Sequence, residues 1–259
     1  MIQAIFFDMD GTLVSYPEAA IPASALRAIA ALRSQGIHIF IATGRHRLEL
    51  EDVDFLHTVT PDAVAALNGQ YCYTPTQDLL IQALEPADVT AFCRFSAEHP
   101  IPSVIAEPQR IYVNFVNEGF RAALRTIATD PPPVGDLTGI EQRAVLQLVP
   151  YCDADTLAGL MRRMPAAKAT RWSPDFVDII HKRGGKVEGC AAILEHFGLT
   201  WAETMAFGDG QNDIGMLEHA AISVAMGNAD PAVKQCASYV TADAGRDGIA
   251  QALKHFHLI

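Results

Sequence analysis

Short, continuous apolar runs alternate along this chain with stretches whose apolar residues recur at helical spacing. Ile2 to Phe7 is β-branched and aromatic and stops at Asp8, which predicts a strand buried on both faces. From Ser24 to Ser34, Leu26, Ile29, Ala30 and Leu32 fall on one helical face, and Gly36 follows as a C-terminal cap. Two more buried strands are predicted, Ile37 to Ala42 ending at Thr43-Gly44-Arg45, and Ala63 to Leu67 ending at Asn68-Gly69. The same rhythm returns with a helix over Lys186 to Phe197, a strand over Thr204 to Phe207, a helix over Ile214 to Ala220 and a strand over Ile222 to Ala225. Strand and helix in alternation predict an α/β fold, a doubly wound, Rossmann-like parallel sheet. Ligands of such sheets gather outside the carboxyl ends of the strands.

Between the two halves the pattern changes. A helix over Pro86 to His99 leads to strands over Val104 to Ala106 and Ile111 to Phe115, then a helix over Glu118 to Ala128 and a loop at Pro131-Pro-Pro133. A strand over Ala144 to Val149, a helix over Asp153 to Met164 and a hairpin over Lys168 to Ile180 complete the segment. This predicts an inserted α+β domain spanning residues 85–183 within a discontinuous core of residues 1–84 and 184–259.

Composition narrows the classes of partner. With 259 residues, half of them hydrophobic, the chain is globular rather than disordered. A net charge of −11 speaks against nucleic acid and anionic membranes as partners. The five cysteines, Cys72, Cys93, Cys152, Cys190 and Cys236, form no C-x-x-C pair, which suits reduced packing residues. No basic leader precedes the first apolar run, and no run approaches the roughly 18 residues of a membrane span, so a cytoplasmic location is expected.

Four polar clusters sit at predicted strand ends or at a helix start. Asp8-Met-Asp10-Gly11-Thr12-Leu13 places two carboxylates one residue apart where Gly11 allows a turn. Such a crowded pair needs a cation or a shared proton, and hard oxygen ligands suit Mg2+. A solvated turn is the competing reading. Gly208-Asp209-Gly210-Gln211-Asn212-Asp213 puts two acids and an amide at what should be the same edge of the sheet. An EF-hand fits poorly, since the oxygen ligands do not recur at its positions and no Glu closes a 12-residue loop. Thr43-Gly44-Arg45 offers a hydroxyl and backbone N–H groups to phosphate oxygens. Lys186, after Gly184-Gly185, would bring an ammonium and a helix N-terminus to one anion. Taken alone, the first reads more readily as a simple turn and the second as a solvated lysine.

In this order the four clusters resemble the motifs of the haloacid dehalogenase superfamily, most closely its Cof-type phosphatases with a large α+β cap. The resemblance covers nearly the whole chain, including Val224 to Ala229 and Asp247-Gly-Ile249 near its end. It implies that Asp8 is a nucleophile forming an aspartyl-phosphate and that Asp10 is the general acid and base. It implies Mg2+ held by Asp8, the Asp10 carbonyl and Asp209, with Asp213 and Asn212 arranging the ion's surroundings or the phosphate. Thr43, Gly44, Lys186 and Asn212 would bind phosphoryl oxygens, and Arg45 and Asn68 would touch the substrate. The basic run His181-Lys-Arg-Gly-Gly185 departs from the family pattern and sets Lys182 and Arg183 against Lys186 for the anion-binding role. In the insert, Arg110, Asn114, Arg171, Trp172 and Asp178 are candidates for reading the substrate.

The expected activity is therefore hydrolysis of a small phosphorylated metabolite, a sugar phosphate or nucleotide-related compound. A phosphomutase of sugar phosphates and a non-catalytic phospholigand-binding protein are the alternatives. Inorganic phosphate release separates the first from the second, and tight ligand binding without turnover would mark the third.

Overall fold

The computed structural model describes every residue except 17, 53–54, 127–128 and 171–174, and excludes the side chain of Asp52. Along the chain the first elements are β1 (Ala4–Phe7), α1 (Ala23–Ser34), β2 (His38–Ala42), α2 (Arg47–Asp52), α3 (Phe55–Val59), β3 (Ala63–Ala66), β4 (Tyr71–Tyr73) and β5 (Asp78–Ile81). Next come α4 (Pro86–Glu98), β6 (Ser103–Glu107), β7 (Arg110–Val113), α5 (Glu118–Thr126), β8 (Gln147–Pro150), α6 (Ala154–Met161), β9 (Ala167–Thr170) and β10 (Asp178–His181). The last are α7 (Lys186–Phe197), β11 (Thr204–Gly208), α8 (Ile214–His219), β12 (Ile222–Ala225), α9 (Pro231–Cys236), β13 (Tyr239–Val240) and α10 (Gly248–His255). Two compact units result, one of Met1–Leu80 with Lys186–Ile259, the other of Ile81–Gly185.

The first unit is built on a sheet of order β13-β12-β11-β1-β2-β3-β4-β5. From β13 to β3 every neighbouring pair is parallel. Chain order runs outward from β1 in both directions, so the switch point lies at the middle of the sheet, where β1 sits between β2 and β11. All four residues of β1 are buried, as expected when helices cover both faces. Phe7 stacks on Phe207 of β11 with ring centroids 5.0 Å apart, and Phe6 meets Phe40 of β2 at 5.0 Å. Burying each such ring contributes about 1.5–3 kcal/mol, so the central strands are held where the polar loops must emerge.

α1 turns Ala25, Ala28, Ile29 and Leu32 inward, and Gly36 ends it at a φ of +78°. The sheet extends one hairpin further than its parallel rhythm predicts. β4 returns antiparallel to β3, with Tyr71 opposite Ala66 and Cys72 opposite Ala65. The turn between them carries positive φ at Leu67, Asn68 and Gly69, a conformation the sequence signals only through Asn-Gly.

The second unit has an antiparallel sheet of order β7-β6-β8-β10-β9. One of its clusters gathers Phe92 and Phe95 of α4 with Ile105, Leu148, Leu160 and Ile179, and the other joins Val104 and Val113 to Phe120 and Leu124 of α5. Val104 and Ile105 fall in different clusters because successive strand residues point to opposite faces. The ladder at β8 begins at Gln147 rather than at Ala144; Val145 and Leu146 are fully buried without being part of the strand. Within the predicted hairpin, residues 171–174 lie outside the described residues, as do 127–128 at the end of the predicted helix before Pro131. Among the described residues, no helix is long and apolar enough to cross a membrane.

Candidate active site

Because β1, β2 and β11 are parallel neighbours, the loops that follow them leave the same edge of the sheet. Asp8 follows β1, Thr43-Gly44-Arg45 follow β2, and Asp209 to Asp213 follow β11. Asp8 is anchored at that edge by its own N–H, which donates to the Phe207 carbonyl at 3.0 Å.

Carboxylate oxygens of Asp8, Asp209 and Asp213 all lie within 4.8 Å of one another. Lys186, the first residue of α7, enters this cluster with its side chain fully buried. Its Nζ donates to Asp8 Oδ1 at 2.5 Å and to Asp213 Oδ1 at 2.6 Å. The other Asp213 oxygen accepts from the backbone N–H groups of Asp209 (3.0 Å) and Gly210 (2.9 Å), so that carboxylate also shapes the loop it belongs to. Thr12 Oγ1 donates to Asp209 Oδ1 at 2.7 Å, which ties the first motif to the fourth. Gly11 has a φ of +84°, and a Cβ there would overlap the Asp209 carboxylate, so the approach of the two loops depends on glycine.

One lysine does not balance three carboxylates. Burial, then the nearby Asp213 carboxylate, hold Asp8 well above the ordinary carboxylate range, although Lys186 pulls the other way. Burial and Asp213 push Asp209 up to about 6. For Lys186, burial opposes the charge, but Asp213 and Asp8 more than offset it and the net shift is upward. The donor set is hard oxygen with unneutralised negative charge, and it fits a small divalent cation such as Mg2+ better than a soft metal.

Asp10 does not share this cluster through its side chain. Its carboxylate takes a two-pronged contact from Arg45, Nε to Oδ2 at 2.9 Å and a terminal nitrogen to Oδ1 at 2.6 Å. Tyr16 adds a hydroxyl donor to Oδ1 at 2.6 Å. The pair of acids one residue apart therefore splits between two partners: the chain turns directly after the strand, where the Asp8 carbonyl accepts from the Leu13 N–H and the Met9 carbonyl from the Val14 N–H. Burial and the hydrogen bond to Asp10 push the Tyr16 phenol up to about 12.

Thr43 is buried, and its hydroxyl accepts from the N–H of Arg45 at 3.1 Å. Asn68 sits behind this loop at φ +53°, its N–H on the Thr43 carbonyl at 2.8 Å. Asn212 Nδ2 donates to Asn68 Oδ1 at 2.9 Å, so the residues after β2, β3 and β11 are linked. Gly44 lies 3.6 Å, by a hypothetical Cβ, from the Asn68 amide, which is ordinary contact and imposes no need for glycine. Gly189 of α7 does impose one, since a Cβ there would come within 2.6 Å of Gly69 Cα. That close passage carries the start of α7, and Lys186 with it, to the cluster.

Lys182 and Arg183 are exposed, whereas Lys186 is buried on the carboxylates. Within the second unit, Arg110 is engaged by Glu107 at 3.0 Å, and Asn114 binds the Ser103 N–H at 2.8 Å and the Ile101 carbonyl at 3.0 Å. Asp178 is buried at the start of β10. Arg171 and Trp172 lie outside the described residues. Two polar partners escaped the sequence reading of the site. Thr12 lay inside a motif but gave no hint of its target, and Tyr16 carries no motif signal at all.

The chain is similar over nearly its whole length to known proteins. The family profile of haloacid dehalogenase-like hydrolases matches residues 5–253. Pyridoxal phosphate phosphatase YbhA of Escherichia coli (strain K12) is 30% identical over 99% of this chain and 99% of its own. The 5-amino-6-(5-phospho-D-ribitylamino)uracil phosphatase YitU of Bacillus subtilis (strain 168) is 28% identical over 97% and 96%. Among solved structures, the subclass IIB sugar phosphatase BT4131 superposes with a TM-score of 0.88 at 35% identity, covering 99% of this chain and 100% of that one. BT1666 of Bacteroides thetaiotaomicron, a phosphatase of the same superfamily, gives 0.91 at 31% identity over 100% and 96%. A match running from β1 through α10, with both units included, leaves one assignment: the chain belongs to the haloacid dehalogenase-like hydrolase family.

Proposed function

We propose that this protein is a Mg2+-dependent phosphatase of small phosphorylated metabolites that works through an aspartyl-phosphate on Asp8. The observation that carries the reading is the gathering of the Asp8, Asp209 and Asp213 carboxylates at the switch point of the sheet, with the Lys186 ammonium bonded to Asp8 and Asp213. The relatives named as phosphatases act on pyridoxal phosphate, a ribitylaminouracil phosphate and sugar phosphates, and this range supports a small phosphate monoester as substrate class.

Asp8 attacks phosphorus with one carboxylate oxygen while the ester oxygen leaves. Attack by a carboxylate on a phosphate dianion brings like charges together, and the Lys186 ammonium, 2.5 Å from Asp8, lowers that repulsion. A Mg2+ held by Asp8, the Asp10 carbonyl and Asp209 would supply further neutralisation of the phosphoryl oxygens. Asp213, already accepting from Lys186 and two backbone N–H groups, fits the task of fixing the lysine and the loop. Thr43 and Gly44 would offer the hydroxyl and N–H to phosphoryl oxygens, with Asn212 positioned by Asn68 beside them.

Asp10 gives a proton to the leaving alcohol and later takes one from the water that hydrolyses the phosphoenzyme. As seen here, Asp10 accepts from both Arg45 and Tyr16. Donation in the first step requires Arg45 to release Asp10, and an incoming substrate phosphate is a ready alternative partner for its guanidinium. The unit spanning Ile81–Gly185 would act as a cap that excludes water and reads the rest of the substrate.

The test is turnover of p-nitrophenyl phosphate with Mg2+ by wild type and Asp8→Asn, followed by a phosphometabolite panel ranked by kcat/KM with inorganic phosphate as the readout. Undiminished turnover in Asp8→Asn refutes the nucleophile. Isomerised sugar phosphate without phosphate release would instead make the protein a mutase.

A further inference from the structure

Just past the first motif the chain folds back on itself and returns a tyrosine to the neighbourhood of Asp10. The Val14 N–H donates to the Met9 carbonyl at 2.7 Å, and Ser15, itself buried, donates its N–H to the Ala20 carbonyl at 3.0 Å. The next residue, Tyr16, is 58% exposed, so burial of its ring does little for the core. Its hydroxyl is engaged all the same. It donates to Asp10 Oδ1 at 2.6 Å, and its oxygen accepts from a terminal nitrogen of Arg45 at 3.4 Å.

The two oxygens of Asp10 are held differently. Oδ1 accepts from both Tyr16 and Arg45, whereas Oδ2 accepts from Arg45 Nε at 2.9 Å. Release by Arg45 therefore frees Oδ2 while Tyr16 stays on Oδ1. A protonated carboxyl has one O–H donor and one acceptor oxygen. A tyrosine hydroxyl keeps its proton at neutral pH. With that hydroxyl donating to Oδ1, the acid proton belongs on Oδ2. The Asp10 side chain is 38% exposed, which leaves that oxygen open to an ester.

We propose that Tyr16 is a positioning residue for proton transfer, holding Oδ1 of Asp10 so that the proton given to the leaving oxygen sits on Oδ2. The inference rests on the phosphatase reading and adds to it the residue that aims the acid. As Asp8 bonds to phosphorus, the P–O ester bond breaks, its electron pair stays on the ester oxygen, and that oxygen takes the proton from Oδ2. In the second step water bonds to phosphorus, Oδ2 takes the water proton, and the P–O bond to Asp8 breaks with its electron pair returning to the carboxylate. Tyr16 keeps its own proton in both steps.

The experiment varies the leaving group. The full chain, with saturating Mg2+ at neutral pH, is assayed on phenyl phosphate and 4-nitrophenyl phosphate, two esters of the same ring whose leaving phenolates differ in basicity. The phenolate needs a proton as it departs, whereas the nitrophenolate leaves readily without one. Comparing kcat/KM confines the readout to the steps up to that departure and excludes hydrolysis of the phosphoenzyme. Asp10→Asn removes the donor and should lower the phenyl to nitrophenyl ratio by about 10². Tyr16→Phe removes one oxygen from an exposed side chain and should lower the ratio about tenfold, the effect of a misaimed acid. The double variant should show no larger fall than Asp10→Asn, because Tyr16 acts through Asp10. A purely structural role for Tyr16 would lower both substrates alike. A ratio in Tyr16→Phe within about twofold of wild type, or a further fall in the double variant, overturns this inference while the Asp10→Asn result leaves the phosphatase reading standing. No phosphate release by the wild type, or an unchanged ratio in Asp10→Asn, overturns that reading and this inference with it.

Discussion

Replacing Lys186 by Met tests the geometry at its most loaded point. Met keeps a flexible apolar stem of similar length but removes an ammonium whose side chain is fully buried and lies 2.5 and 2.6 Å from two carboxylates. Two charge-assisted hydrogen bonds are lost, each worth about 1.5–3 kcal/mol, and the buried Asp8 and Asp213 carboxylates are left without a counter-charge. Breaking a buried pair from one side costs about 3–5 kcal/mol, the range to expect at pH 7.5 in EDTA. The protein should stay folded, since domains carry about 5–15 kcal/mol. With an m-value near 3 kcal/mol/M, the urea midpoint of the first unit should fall by about 1–1.7 M.

Two tryptophans are present, and a Trp172→Phe background leaves Trp201, which packs 5.8 Å from Phe6, to report that unit alone. Saturating Mg2+ should recover part of the loss, because the cation binds an emptier, more negative cluster more tightly. Turnover should nevertheless drop by at least about 10²–10³, the usual effect of removing one charge-stabilising donor. A midpoint shift below about 0.3 M, roughly 1 kcal/mol at that m-value, would mean that Lys186 does not hold the cluster, and unchanged turnover would remove it from the chemistry.

Asp8→Asn should lower turnover of p-nitrophenyl phosphate by more than about 10³ while circular dichroism stays native, because the amide cannot form the acyl phosphate but fills the same space. EDTA should abolish activity, and Mg2+ at 100 times its Kd should stabilise the protein by about 2.7 kcal/mol, seen as a rise in Tm that an Asp209→Asn variant largely loses. Gly11→Ala should be inactive and less stable by more than about 1 kcal/mol, since it adds a Cβ at φ +84° against Asp209; wild-type stability would show that the two loops need not approach so closely. Burial pushes the Cys72 thiol up to about 12 and Cys190 well upward, so neither should react with a thiol reagent at pH 8 until the protein is unfolded in urea. The folded state keeps those protons where the unfolded chain releases them. These two groups therefore leave stability untouched below about pH 8 and reduce it as pH rises through about 9 toward 12, measurable as a falling urea midpoint.

Local pattern determined a good part of this protein. The runs at Ala4–Phe7, His38–Ala42 and Thr204–Gly208 read as buried strands because covering a parallel sheet on both faces leaves them almost continuously apolar, with His38 and Thr204 confined to strand starts. Polar residues crowding their ends then marked the edge where a site belongs, and the order of the motifs named the family. The hairpin at Tyr71–Tyr73 was not legible, because three residues carry no usable period and nothing in a leucine signals the left-handed backbone that Leu67 adopts, with its N–H on the Arg45 carbonyl. Helices α2 and α3, of six and five residues, fall below the length at which helical periodicity can be read.

Side-chain partnership was the province of the tertiary structure. Spacing alone sets Asp8 and Asp10 side by side, whereas in the folded chain one meets Lys186 and the other Arg45 and Tyr16. Lys186 could be told from Lys182 and Arg183 only by burial, which depends on how closely α7 passes Gly69. A hydrophobic period is a property of neighbours in sequence, so the chain displays it before folding. Hydrogen bonds between residues some two hundred positions apart exist only once the sheet has closed the distance.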